Sequence, residues 1–196
     1  NQGDPSTWGR LAAVVSRRQY AVAPLWPRMA PAWVQLANIG QYADWQGGLS
    51  NGPTVLPSLA RTAGTGLFVL LGVSGAVWQW ETNRRGWAVI AGLFACGTIG
   101  VMVYLNLHAG PSILFPGMAA DAAREGRDRD YFYVFGFWAW GVWAGMGAVV
   151  LAHQWRRPAW AGVLVAALPI VLNWRAVSRR TEPDSLVPRR WAETLL

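Results

Sequence analysis

The sequence has no lysine, a single cysteine, and few charged residues of any kind. One cysteine excludes an intrachain disulfide, and with it the stapled folds of small secreted domains. Cys96 lies within an apolar run and reads as a small core residue. Charged residues make up 14% of the chain, against roughly 25% in soluble domains, which excludes an ordinary soluble surface. There is no Gly-rich phosphate loop followed by Lys, no His-Glu-x-x-His and no Gly-x-Ser-x-Gly, so the usual nucleotide-binding, zinc-peptidase and serine-hydrolase readings fall away. The two histidines, His108 and His153, have no metal-ligand spacing around them. No metal and no cofactor is implied.

Tryptophan and long apolar runs are abundant instead. The 196 residues are 53% hydrophobic and include 14 tryptophans, whose amphipathic rings favour the headgroup region of a bilayer. Four uncharged stretches, 63–80, 87–107, 131–153 and 159–174, read as transmembrane helices within a membrane domain over 59–175. The first, 18 residues at 1.5 Å each, spans about 27 Å of the roughly 30 Å hydrocarbon core. The expected fold class is therefore all-α: a polytopic membrane protein with about four spans and short interfacial helices. Residues 1–58 form a polar-aromatic leader. Ser6 or Thr7 caps one short helix running to about Tyr20, and a second covers about 31–45. Residues 176–196 read as the start of a further segment. With no initiator Met and no signal peptide, the chain is expected to be a processed product or part of something longer.

All 17 basic residues are Arg, and they sit in loops beside the spans, so lipid phosphate is a better partner for them than nucleic acid. Asn83-Arg84-Arg85-Gly86 reads as a tight turn, and 154–158 as a second one. Those turns hold four arginines, against seven on the side of the leader, the 108–130 loop and the tail. The bare count places the long loops in the cytoplasm.

The densest chemistry lies at the mouth of the third span, in Arg124-Glu125-Gly126-Arg127-Asp128-Arg129-Asp130-Tyr131. It is either a solvated ion-pair face or a lipid-phosphate site in which Arg127 or Arg129 binds the phosphate and Asp130 holds the arginine in place. Asn106, near the end of the second span, is either a helix-packing clamp or part of a site. Ser112 follows in the same loop, and Asp44 is either a helix-end residue or a sugar-binding group. Gly141-x-x-x-Gly145 puts two small residues on one helix face, for close helix packing or for the path of a lipid tail.

Several of these stretches carry a resemblance. Asn1-x-x-Asp4-Pro5-Ser6-Thr7-Trp8, Arg18-Gln19-Tyr20, Pro24-Leu25-x-x-Arg28-x-x-Pro31, Gln41-Tyr42-x-Asp44-Trp45-Gln46, Tyr104-Leu105-Asn106, Gly110-Pro111-Ser112, Arg127-Asp128-Arg129-Asp130-Tyr131-Phe132 and Asn173-Trp174 follow one another in order. The chain resembles the central part of bacterial multispanning proteins related to the eukaryotic transmembrane protein O-mannosyltransferases. The resemblance implies a GT-C-type glycosyltransferase that takes a sugar from a polyprenyl-phosphate donor. It implies a bacterial inner-membrane location, with the leader and long loop in the periplasm and the Arg-Arg turns in the cytoplasm. It also implies that the catalytic carboxylate lies before Asn1, so no base is assigned. Against the enzyme stands an accessory subunit of a larger respiratory or photosynthetic complex, docking through the aromatics of the third span (Phe132, Phe135, Phe137, Trp138, Trp140, Trp143).

Overall fold

The computed structural model describes residues 6–15, 24–48, 58–113 and 122–177, and among these the protein is an all-α membrane protein without strands. Three helices are long and apolar enough to cross a bilayer: Leu59–Thr82, Arg84–Leu105 and Asp130–Gln154. In detail, α1 is Trp8–Val15, α2 Ala32–Gly48, α3 Leu59–Thr82 and α4 Arg84–Ala95; a π turn, Cys96–Gly100, joins α4 to α5, Val101–Leu105. A 3-10 turn, Asp130–Tyr133, leads into α6, Val134–Gln154, and α7 is Ala159–Val177. The fourth expected span falls on α7. Its apolar part among the described residues, Ala159–Val171, extends about 20 Å, less than the hydrocarbon thickness. Yet α7 traverses the depth of the bundle, because Asn173 Nδ2 donates to the Gln46 carbonyl of α2 at 3.1 Å.

The helix ends follow local chemistry. Thr7 Oγ1 accepts from Arg10 N–H at 3.3 Å and caps α1, while the expected continuation to Tyr20 lies outside the described residues. Ser58 Oγ caps α3 through Arg61 N–H at 3.3 Å, so α3 starts four residues earlier than the uncharged run and takes in Arg61. The turn expected over 83–86 is a single residue. Asn83 ends α3 and, by accepting from Gly86 N–H at 3.0 Å, starts α4. Asn106 ends α5 in the left-handed region, at φ 45°.

Between membrane helices there is little hydrophobic gain, so close packing and internal hydrogen bonds hold them together. The main seam joins α3 to α6. A Cβ on Gly75 would lie 1.9 Å from the Trp143 carbonyl oxygen, and one on Gly147 2.0 Å from that of Leu71. Two indoles cross this seam: Trp140 donates to the Phe68 carbonyl at 3.2 Å, and Trp143 to Gln79 Oε1 at 2.7 Å. The packing role expected of Gly141 and Gly145 is corrected here. A Cβ on either meets nothing within 4 Å, because the α3 seam runs along a different stripe of α6. The π turn lets Gly97 approach Gly136, where a Cβ would come within 2.5 Å of the Gly136 nitrogen.

Candidate functional site

The site builds on the side of the bundle where α2 and the loop between α5 and the 3-10 turn meet, here called the loop side. Asn106 is buried, and its amide is fully used. Nδ2 donates to the carbonyls of Pro24 and Pro27 at 2.6 and 3.0 Å, and Oδ1 accepts from Met29 N–H at 2.9 Å and Gln35 Nε2 at 3.4 Å. With two donors and two acceptor positions engaged, nothing remains for a ligand. Of its two readings, the geometry is that of a clamp, one that ties the chain before α2 to the end of α5. Arg28 reinforces it by donating to the carbonyls of Met102 and Val103 at 2.8 and 2.9 Å, as a cation at a helix C-terminus does.

Asp44 is drawn into a second structural pair. Its Oδ2 meets Arg61 Nε at 2.5 Å and its Oδ1 accepts from Thr65 Oγ1 at 2.9 Å, with Arg61 wholly buried. This ties α2 to α3. Ser112 donates to Asp128 Oδ2, whose other oxygen accepts from Tyr42 Oη at 3.3 Å; Tyr42 Oη in turn accepts from Arg129 N–H at 3.1 Å. Burial pushes the Tyr42 hydroxyl well above its ordinary pKa and the nearby Asp128 carboxylate adds to the rise, so it stays a donor. A Cβ on Gly110 would lie 2.9 Å from both Asp128 Oδ1 and Tyr42 Oη, so a larger residue there would displace this group.

The arginines expected to bind phosphate do converge. Arg129 Nη1 and Arg127 Nη2 both donate to Tyr131 Oη, at 3.0 and 3.2 Å, and Arg127 lies 5.5 Å from the centre of the Tyr131 ring. Arg127 and Tyr131 are exposed. The acidic residue that holds Arg129 is Glu125, at 3.2 Å, and not Asp130 as expected. The loop doubles back through a bridge between Ala109 and Arg124, which brings Glu125 beside both Arg129 and His108, whereas Asp130 opens the 3-10 turn. Asp130 has no side-chain partner among the described residues.

Beneath α2 lies a groove of about 640 Å³ between α2, α3, α4, the π turn, α6 and α7. Leu36, Ile39, Phe68, Phe94, Phe137 and Trp138 make it apolar, with Thr65 and Gln46 as polar lining on the loop side. Gly141 leaves it wide, and Val134, which also lines it, directly follows the 3-10 turn that carries Tyr131. Sequence reasoning missed Tyr42, Asp128, Glu125 and Arg61 as organising residues. The first three lie within the motifs quoted above, whereas Arg61 lies just outside the uncharged run 63–80. Among the described residues no group of three or more His, Cys, Asp or Glu is placed to hold a metal ion. Comparison with protein-family models, curated protein sequences and solved structures found no match.

Proposed function

We propose that the chain is the membrane domain of a GT-C-like glycosyltransferase that holds a polyprenyl-phosphate sugar donor. The observations that support this reading are an apolar groove that reaches Val134 and two arginines that converge on Tyr131, three residues earlier in the chain. The groove's volume is in the range of small-molecule sites, roughly 300–1,000 Å³, and its wall is aromatic and aliphatic. An isoprenoid chain would lie in it, and the phosphate would replace Tyr131 Oη as the acceptor for the forks of Arg127 and Arg129. Glu125 keeps Arg129 oriented while leaving it able to donate further. Asp44 and Asp128 are already engaged by donors, so neither is assigned as the base for sugar transfer. On this reading the protein sits in a bacterial inner membrane with the loop side in the periplasm.

The test compares a polyprenyl phosphate with the matching phosphate-free polyprenol, by native mass spectrometry of the detergent-solubilised chain. The phosphate should bind about tenfold more tightly, as a charge-assisted contact to Arg would give. Arg127→Gln with Arg129→Gln should abolish that preference and leave polyprenol binding and helix content unchanged. An undiminished preference in the double variant rejects the headgroup assignment.

The accessory-subunit reading is favoured by a different feature. Gly92 and Gly100 meet no other helix, and Cys96 between them is exposed and not the core residue expected, leaving a small-residue stripe at four-residue spacing on α4 and the π turn. Stoichiometric co-migration with a large complex from native membrane would support this reading over the enzyme.

A further inference from the structure

The end of the bundle opposite the groove's polar rim carries a second charged surface. Arg84 and Arg85 open α4, Arg156 and Arg157 follow α6, and all four side chains are exposed. Because α3 and α6 run parallel, with Phe68 beside Trp140 and Gly75 beside Gly147, the turns that follow them lie at one end, the turn side. The arginine–carboxylate pairs among the described residues, Arg61–Asp44 and Arg129–Glu125, both belong to the loop side. Arg28 and Arg124 there are engaged by backbone carbonyls. On the turn side no guanidinium meets a carboxylate among the described residues; Arg84 instead lies over the Trp80 ring, 4.9 Å from its centre. Glu81 is the only acidic residue adjoining these turns in sequence. Among the described residues, therefore, the turn side gathers four exposed arginines with no carboxylate beside them.

Local backbone physics also works against arginine at three of these positions. Arg84 and Arg85 occupy the first turn of α4, where the helix dipole disfavours cations and no acidic residue offsets them. Arg156 sits at φ 54°, a conformation that glycine adopts without strain. It closes α6 with Arg156 N–H donating to the His153 carbonyl at 3.0 Å and Arg157 N–H to that of Ala152 at 2.8 Å, the pattern in which glycine is usual. The exposed Trp155 and Trp160 lie beside the second turn, as rings at headgroup depth do.

We infer that Arg84, Arg85, Arg156 and Arg157 form a binding surface for the phosphates of anionic phospholipids. The planar guanidinium fork matches phosphate oxygens, and a leaflet rich in negative headgroups supplies the counter-charge missing from the protein. This surface is independent of the groove and of the sugar-donor reading. It also sets the orientation of the chain, with the turn side toward the leaflet that carries more anionic lipid.

The experiment measures retained lipid by native mass spectrometry after the full chain is exchanged into mixed phosphatidylcholine and phosphatidylglycerol. The chain should retain phosphatidylglycerol preferentially. Changing all four arginines to Gln should cut that retention about tenfold, whereas the fourfold Lys variant should keep most of it. Retention in the Gln variant equal to that of the unaltered chain overturns the proposal. Arg156→Gly provides a check on folding: the thermal midpoint should hold or rise while phosphatidylglycerol retention falls. A joint fall would make Arg156 structural and overturn its assignment. If the fourfold Gln variant does not fold, the unaltered chain still decides the matter. Raising salt from about 0.05 to about 0.5 M should strip phosphatidylglycerol from it, and salt-insensitive retention counts against the surface.

Discussion

Helix α6 presents two faces whose glycines do opposite things. Toward α3, Gly147 is a point of contact, with no room for even a methyl group against the Leu71 carbonyl. Toward the groove, Gly141 is a point of space, with nothing within 4 Å of where its Cβ would be. The neighbouring tryptophans divide in the same way: Trp143 is 4% exposed and bonded across the seam, whereas Trp138 is 60% exposed and lines the groove. A small residue in a membrane helix thus marks either a place where another backbone arrives or a place kept open, and spacing alone does not distinguish them. The largest expected effect breaks the contact face. Gly75→Leu drives a side chain into the Trp143 carbonyl, and relief requires separating two backbones, so a loss of about 3 kcal/mol or more is expected. Size-exclusion chromatography in detergent should show the monodisperse peak lost. A variant eluting like the unaltered chain would mean that the seam is not closed at Gly75.

A smaller effect sharpens the same face. Trp143→Phe leaves Gln79 Oε1 buried without its donor, which should cost about 1–2 kcal/mol in a thermal-unfolding series. Adding Gln79→Leu removes the stranded amide, so the double variant should recover part of the loss. A double variant worse than the single would show that Gln79 is supported by something other than Trp143.

The sequence made the helices legible because a bilayer demands uncharged runs, and 87–107 and 131–153 differ from the observed Arg84–Leu105 and Asp130–Gln154 only at their ends. Those shifts have local causes. Arg61 could be included in α3 because Asp44, seventeen positions earlier, neutralises it, and a long-range pair of that kind leaves no periodic trace. Asn106 was visible as a polar residue at the end of an apolar run, but its role depended on the carbonyls of Pro24 and Pro27, which only the folded leader brings to it. Glu125 and Asp130 were both visible beside the arginines. Choosing between them required the bridge from Ala109 to Arg124, a contact that no local pattern announces. The groove was the least legible feature, being empty space bounded by six separate elements.

The open face is tested by filling it. Gly141→Leu places a side chain in the groove without meeting any atom of another helix at its Cβ, so the folded protein should persist with its thermal midpoint within a few degrees, as for a surface substitution of about 0.5 kcal/mol or less. Binding of the polyprenol probe should nevertheless fall about tenfold, because the added volume occupies the space the chain would take. Gly145→Leu, equally free of contacts but not part of the groove lining, should change neither quantity. Equal binding in the two variants would mean that the probe sits elsewhere, and Gly141 would then be only a lipid-facing glycine. A large fall in midpoint for Gly141→Leu alone would mean that the groove closes onto α6 in the folded protein, and the space beneath α2 would then not be open to a lipid chain.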